Sequence, residues 1–112
     1  MANNIRIKRL NHAFMEEISV ILMQEVKNED LKFVTITDCD ITSDLSFAKV
    51  YFTILNKENK EQITKELNNA SSFIRGKLSE RIEIRHTPEL KFIYDETIEY
   101  GEKMESILNN LK

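Results

Sequence analysis

The chain has 112 residues, a net charge of −3, and unexceptional apolar (41%) and charged (31%) fractions. These values exclude a disordered or fibrous chain and allow one hydrophobic core without staples. A lone cysteine, Cys39, excludes an intramolecular disulfide and fits a reducing compartment. No run approaches the ~18–20 apolar residues that span a bilayer, and MANNIRIKRLNHAFMEE lacks the apolar core of a secretory signal, so a cytoplasmic protein is expected.

The first predicted element is a helix over 4–26. Ile7, Leu10, Phe14, Ile18, Ile21 and Leu22 recur at three- and four-residue spacing and form one apolar stripe, with Arg6 and Arg9 off it. VTITDCDIT then alternates as a strand, with Val34 and Ile36 in one phase and Cys39 and Ile41 in the other, so a bulge is expected near Asp38. SFAKVYFTI alternates cleanly: Ala48, Val50, Phe52 and Ile54 face one way, and Phe47, Lys49, Tyr51 and Thr53 the other. Thr42-Ser43-Asp44-Leu45 between the strands supplies turn chemistry, which makes the pair a hairpin.

Asn56 is placed to cap a helix starting near Lys57. Ile63, Leu67, Ala70, Ile74, Leu78 and Ile82 carry its apolar face through Ala70-Ser71-Ser72. An unbroken helix there is longer than the usual ~8–20 residues, and paired serines compete for backbone hydrogen bonds, so the spacing predicts two helices with a kink. Pro88 suits the start of a third strand, ELKFIYDE, and a last helix is expected over 96–111. The order α-β-β-α-α-β-α predicts an α+β fold of a single domain over 1–112, its three-stranded sheet packed by helices on one face.

Enzymatic signals are weak. Asp38, Asp40 and Asp44 fall in a strand-turn pattern without the glycine and closing glutamate of a calcium loop. His12 and His86 are isolated, and with only Gly76 and Gly101 no glycine-rich phosphate loop exists. A non-enzyme without metal or cofactor is expected, and Cys39 reads as a buried structural thiol. The charge distribution is more informative than its sum. Residues 1–12 hold Arg6, Lys8 and Arg9 with no acid, and residues 70–91 hold Arg75, Lys77, Arg81, Arg85 and Lys91 against three glutamates. Phosphate recognition needs cations on rigid elements and close backbone approach, which the small residues at 70–72 allow.

Four stretches carry a resemblance to a known family: the basic amphipathic start IRIKRL (5–10), DLSFAKVYF (44–52), ASSFIR (70–75) and PELKFIYD (88–95). Over essentially its whole length the chain resembles the ribosome-binding factor A family, whose fold is similar to type II KH domains with an A-x-G kink replacing the GXXG loop. Ser72 stands where that family has glycine, the residue that a left-handed backbone favours. The resemblance implies a monomeric, non-catalytic assembly factor that binds free or immature 30S subunits, assists maturation of 16S ribosomal RNA near its 5′ end, and supports growth in the cold. The implied RNA contacts are Arg6, Lys8, Arg9, Lys49, Ala70, Ser71, Ser72, Arg75, Lys77, Arg81 and Arg85. Reversing Arg75 and Lys77 to glutamate is expected to weaken subunit binding and leave thermal stability nearly unchanged. A protein–protein adaptor using the Phe47/Tyr51 face is the alternative.

Overall fold

The computed structural model describes residues 4–97. Helix α1 (Asn4–Gln24) is followed by a 3-10 turn (Glu29–Phe33), the hairpin β1 (Thr35–Ile41) and β2 (Phe47–Thr53), helices α2 (Lys60–Asn69) and α3 (Ser71–Arg81), and strand β3 (Glu89–Tyr94). The helix expected over 96–111 lies outside the described residues beyond its first two positions. The strand order is β1-β2-β3, with β2 antiparallel to β1 and parallel to β3. A parallel β2–β3 pair requires a crossover, and α2 and α3 supply it.

Period-two alternation decides which face of the sheet is covered. Ile36, Cys39, Ile41, Ala48, Val50, Phe52, Leu90, Phe92 and Tyr94 are buried against Phe14, Ile18, Ile21 and Leu22 of α1, Ile63 and Leu67 of α2, and Ile74 and Leu78 of α3. The expected bulge is present: Ile36 pairs with Phe52 and Asp38 with Tyr51, which leaves Thr37 as the extra residue. That one residue is what keeps both Ile36 and Cys39 on the core face. At the hairpin, Leu45 takes a left-handed φ of 62°. The strain, about 1–2 kcal/mol for a non-glycine residue, is offset by packing of the Leu45 side chain on the core.

Two sequence expectations are corrected here. Asn56 caps the 3-10 turn Lys57–Asn59, its side chain accepting from the Glu58 amide, and α2 itself begins only at Lys60. The break after α2 is real, but it uses no left-handed residue. Ala70 sits at φ −90°, ψ 0°, closing α2 through its amide and opening α3 through its carbonyl, which accepts from Ile74 N at 3.0 Å. Ser72 lies inside the first turn of α3, so glycine is not required there.

Two polar side chains fix the break. The Asn68 amide donates to the Phe92 carbonyl (3.1 Å) and accepts from the Phe92 amide (3.0 Å), so it completes the outer edge of β3 as a neighbouring strand would. Ser71 Oγ donates to the Asn68 carbonyl at 2.8 Å. The last turn of α2 is thereby tied to the sheet, and α3 leaves from there toward α1.

Candidate nucleic-acid interface

One end of the sheet gathers much of the positive charge. The amide of Ile41, at the end of β1, donates to Asn11 Oδ1 at 2.9 Å, which fixes the N-terminal half of α1 beside the hairpin turn. The amide of Glu89, at the start of β3, donates to the Ser46 carbonyl at 3.0 Å, so the segment leading into β3 arrives at the same end. Arg6, Lys8 and Arg9 are exposed on the first turns of α1. That helix has no acidic residue in its first turn. A cation in the first turn of a helix, as Arg6 is, opposes the peptide dipoles by about 0.3–1 kcal/mol at low salt. None of the three forms an ion pair with another described residue.

The α2–α3 break lies over the start of β3. Ser71, Ser72, Arg75, Glu89 and Leu90 line a hollow of about 250 Å³. Ala70 and Ser71 are half-buried and Ser72 is exposed. The cations that follow are not equivalent. Arg75 is half-buried and donates from Nε (2.9 Å) and Nη2 (2.7 Å) to the Thr87 carbonyl, so it pins the approach to β3. Its Nη1 has no partner among the described residues. The expectation that Arg75 can be reversed without loss of stability is therefore corrected: a carboxylate at that position would face a carbonyl that has lost its donor.

Lys77 lies 3.9 Å from Glu80, with its ammonium 5.7 Å from the centre of the exposed Phe73 ring. Arg81 bridges two carboxylates, Glu17 of α1 and Glu25 just past its C-terminal end, each at 3.2 Å. The Glu17 hydrogen bond, then Glu25, hold its guanidinium still more firmly charged than usual. Arg85 is exposed in the segment between α3 and β3.

Lys49 is not brought together with these residues. It projects from the face of the sheet opposite the helices, paired in register with Asp40 on β1 and Lys91 on β3. Phe47 (52% exposed) and Tyr51 share that face. Asp44 is occupied in the hairpin turn, where its Oδ1 accepts from Thr42 Oγ1 (2.8 Å) and from Ser46 Oγ and N (2.7 and 3.1 Å). Those bonds hold its carboxyl down at about 2. Cys39 is buried, and burial, with Asp38 and Asp40 beside it, pushes the thiol up to about 12. A thiol in that state is a packing residue and a poor nucleophile. Reading by spacing alone passed over Asn68 and Phe73. The signal that would have found Phe73 is its position one turn before Lys77.

A mixed three-stranded sheet in the order α-β-β-α-α-β, with a helix–helix break over the edge strand, defines the α+β class of KH-like type II architecture. Within that class the chain belongs to the ribosome-binding factor A family, whose model matches residues 6–108. It is similar to the ribosome-binding factor A of Staphylococcus epidermidis, 44% identical over 110 residues that cover 97% of this chain and 95% of the relative. Its fold matches the crystal structure of ribosome-binding factor A from Thermus thermophilus with a TM-score of 0.71 at 20% identity, covering 79% and 93% of the two chains. It also matches the Thermus thermophilus ribosome binding factor A homology model fitted into the cryo-EM map of a 30S–RbfA complex, with a TM-score of 0.56 at 24% identity, covering 78% and 88%.

Proposed function

We propose that this protein binds the free or immature small ribosomal subunit and assists maturation of 16S ribosomal RNA near its 5′ end, acting in the cytoplasm as a monomer. The mechanism is non-catalytic. One RNA conformation is held by differential binding, and the equilibrium shifts by no more than the difference in affinity between conformations. The RNA-facing residues in this reading are Arg6, Lys8 and Arg9 on α1, Ala70, Ser71 and Ser72 at the break, Arg75 through its remaining donor, and Lys77 and Arg85. Arg81 contributes by holding α3 against α1, and Lys49 belongs to a separate face. Cold-dependent growth support follows from the same role.

The observation that carries the reading is the cationic start of α1, unopposed among the described residues, at the end of the sheet to which Arg75 fastens the lead-in to β3. Family membership adds to it, as does the 30S complex of the Thermus relative. Sucrose-gradient sedimentation of cell extract provides the test. The protein is expected to travel with free small subunits, and association is expected to fall steeply between low and moderate salt as counterions compete for phosphate. Comigration with whole ribosomes only, or binding indifferent to salt, would refute it. The adaptor reading rests on one observation, the exposed Phe47 beside Tyr51. It predicts subunit binding lost in Phe47→Ala and kept when α1's three cations are replaced by glutamine.

A further inference from the structure

Helix α3 carries a face that the packing of the fold does not explain. Ile74 and Leu78 are fully buried, while Phe73 is 47% exposed and Gly76 is open to solvent. A methyl group built on Gly76 meets nothing within 4 Å among the described residues, and the residue has no left-handed backbone to justify glycine. Glycine in the middle of a helix is a poor helix former, and an aromatic ring left half in water forgoes much of the burial that favours it in a core. Gly76 costs the fold stability, and Phe73 contributes less than its size allows.

Phe73, Gly76 and Lys77 lie within about one turn, so the three share one side of the helix. The Lys77 ammonium stands over the Phe73 ring, 5.7 Å from its centre, and swings off it when it pairs with an anion; Glu80, at 3.9 Å, is the acidic group beside it. Lys77 is the nearest cation and is tethered only loosely, since an exposed i,i+3 pair contributes little. A flat ring, a bare stretch of helix backbone and a movable cation match the repeating unit of a single-stranded nucleic acid: base, sugar and phosphate.

Resting on the RNA-binding reading above, we propose that this face of α3 is a docking platform for single-stranded RNA. A nucleobase stacks on Phe73, the adjoining phosphate pairs with Lys77 in place of Glu80, and Gly76 lets the sugar-phosphate backbone lie against the helix. Stacking on a ring tolerates any base, so the platform fixes the path of a strand without reading its sequence. The two serines at the start of α3 continue the low surface toward the α2–α3 break.

The test is fluorescence anisotropy with the full chain and an unstructured, mixed-sequence oligoribonucleotide of about ten nucleotides, titrated over a range of salt. Phe73→Ala is expected to weaken binding about tenfold with the salt slope unchanged, because stacking carries no charge, and Phe73→Trp is expected to restore it. Lys77→Gln is expected to lower the slope by about 0.7, the value for one phosphate contact on a single strand. Gly76→Ala is expected to melt above the parent protein and yet bind RNA less tightly. Melting of each variant separates binding from folding.

If Phe73→Ala and Gly76→Ala bind at parental strength while glutamine at Arg6, Lys8 and Arg9 abolishes binding, the platform is wrong and the broader reading stands. If the parent protein binds no RNA, both fall. If Phe73→Ala loses small-subunit binding but keeps oligonucleotide binding, the ring meets a protein and the RNA platform is refuted.

Discussion

Replacing Arg75 with alanine tests how far one residue can serve both fold and ligand. Two donors from a charged group meet a single half-buried carbonyl, that of Thr87, at 2.9 and 2.7 Å. A hydrogen bond from a charged group is worth about 1.5–3 kcal/mol. Because both donors share one acceptor and the side chain is partly solvated, their joint contribution falls at the low end, about 1–2 kcal/mol. At roughly 4 °C per kcal/mol for a domain of this size, Arg75→Ala should lower the melting temperature by about 4–8 °C. Thr87 lies two residues before β3, so the loosening should be local at first. Exchange of the Glu89 amide, which closes the ladder onto the Ser46 carbonyl, should accelerate more than exchange of the Ile41 amide on the other side of the hairpin. Arg75→Lys, with a single compact donor group, should recover part of the loss. An Arg75→Ala protein that melts with the parent and exchanges Glu89 at the parental rate would refute the clamp. Any loss of RNA affinity in that variant could then be read directly as a lost phosphate contact.

Asn68→Ala removes both bonds to the backbone of Phe92. It should cost about 2 kcal/mol, seen in chemical denaturation together with faster exchange of the Phe92 amide; unchanged exchange would refute the edge role. The Asp44 carboxyl is held below its ordinary value of 3.8, at about 2, so the stability it lends is complete above the ordinary value and lost as pH falls through about 2. An NMR titration of the Ser46 amide should show a midpoint near that lower value, and a midpoint near the ordinary 3.8 would disprove the turn network. Cys39, buried and with its thiol pushed up to about 12, should resist iodoacetamide in the folded protein at mildly alkaline pH. It should react only at the rate at which denaturant unfolds the chain, and fast reaction in the absence of denaturant would refute its placement in the core.

The parts of the fold that follow from local periodicity were legible. Ile36 and Cys39 are out of phase by one residue, and only an extra residue between them, Thr37, can put both on the same face. The helix break was readable from Ser71-Ser72, paired serines inside a continuous apolar stripe. Its geometry was not, because Ala70 manages the change of direction with ordinary right-handed angles. The polar contacts were illegible for a different reason. Arg81 meets Glu17 across 64 residues of sequence and Arg75 meets the Thr87 backbone, and no spacing rule connects partners that only tertiary packing brings together. Lys49 is the intermediate case. Alternation already placed it opposite Val50, and with helices on the Val50 face it had to lie on the other side of the sheet from the cations of α1 and α3.

What distinguishes functional from structural residues in this chain is whether a local cost is offset. Leu45 adopts a strained backbone, but its side chain packs on the core. Asn68 and Arg75 are polar and half-buried, but each satisfies backbone groups of the β3 segment. Arg6 opposes the dipoles of α1 and Gly76 weakens α3, and no contact among the described residues offsets either cost; Lys8 and Arg9 are exposed beside Arg6, and Phe73 leaves about half its ring in water. If those costs are maintained for binding, removing them should stabilise the free protein: glutamate at position 6 complements the helix dipole, and alanine at position 76 improves helix propensity by about 1 kcal/mol. Arg6→Glu/Gly76→Ala should therefore melt several degrees higher than the parent while binding small subunits more weakly. A double variant that gains stability and keeps full affinity would show that these residues are neutral surface, and would remove the physical basis for placing the interface there.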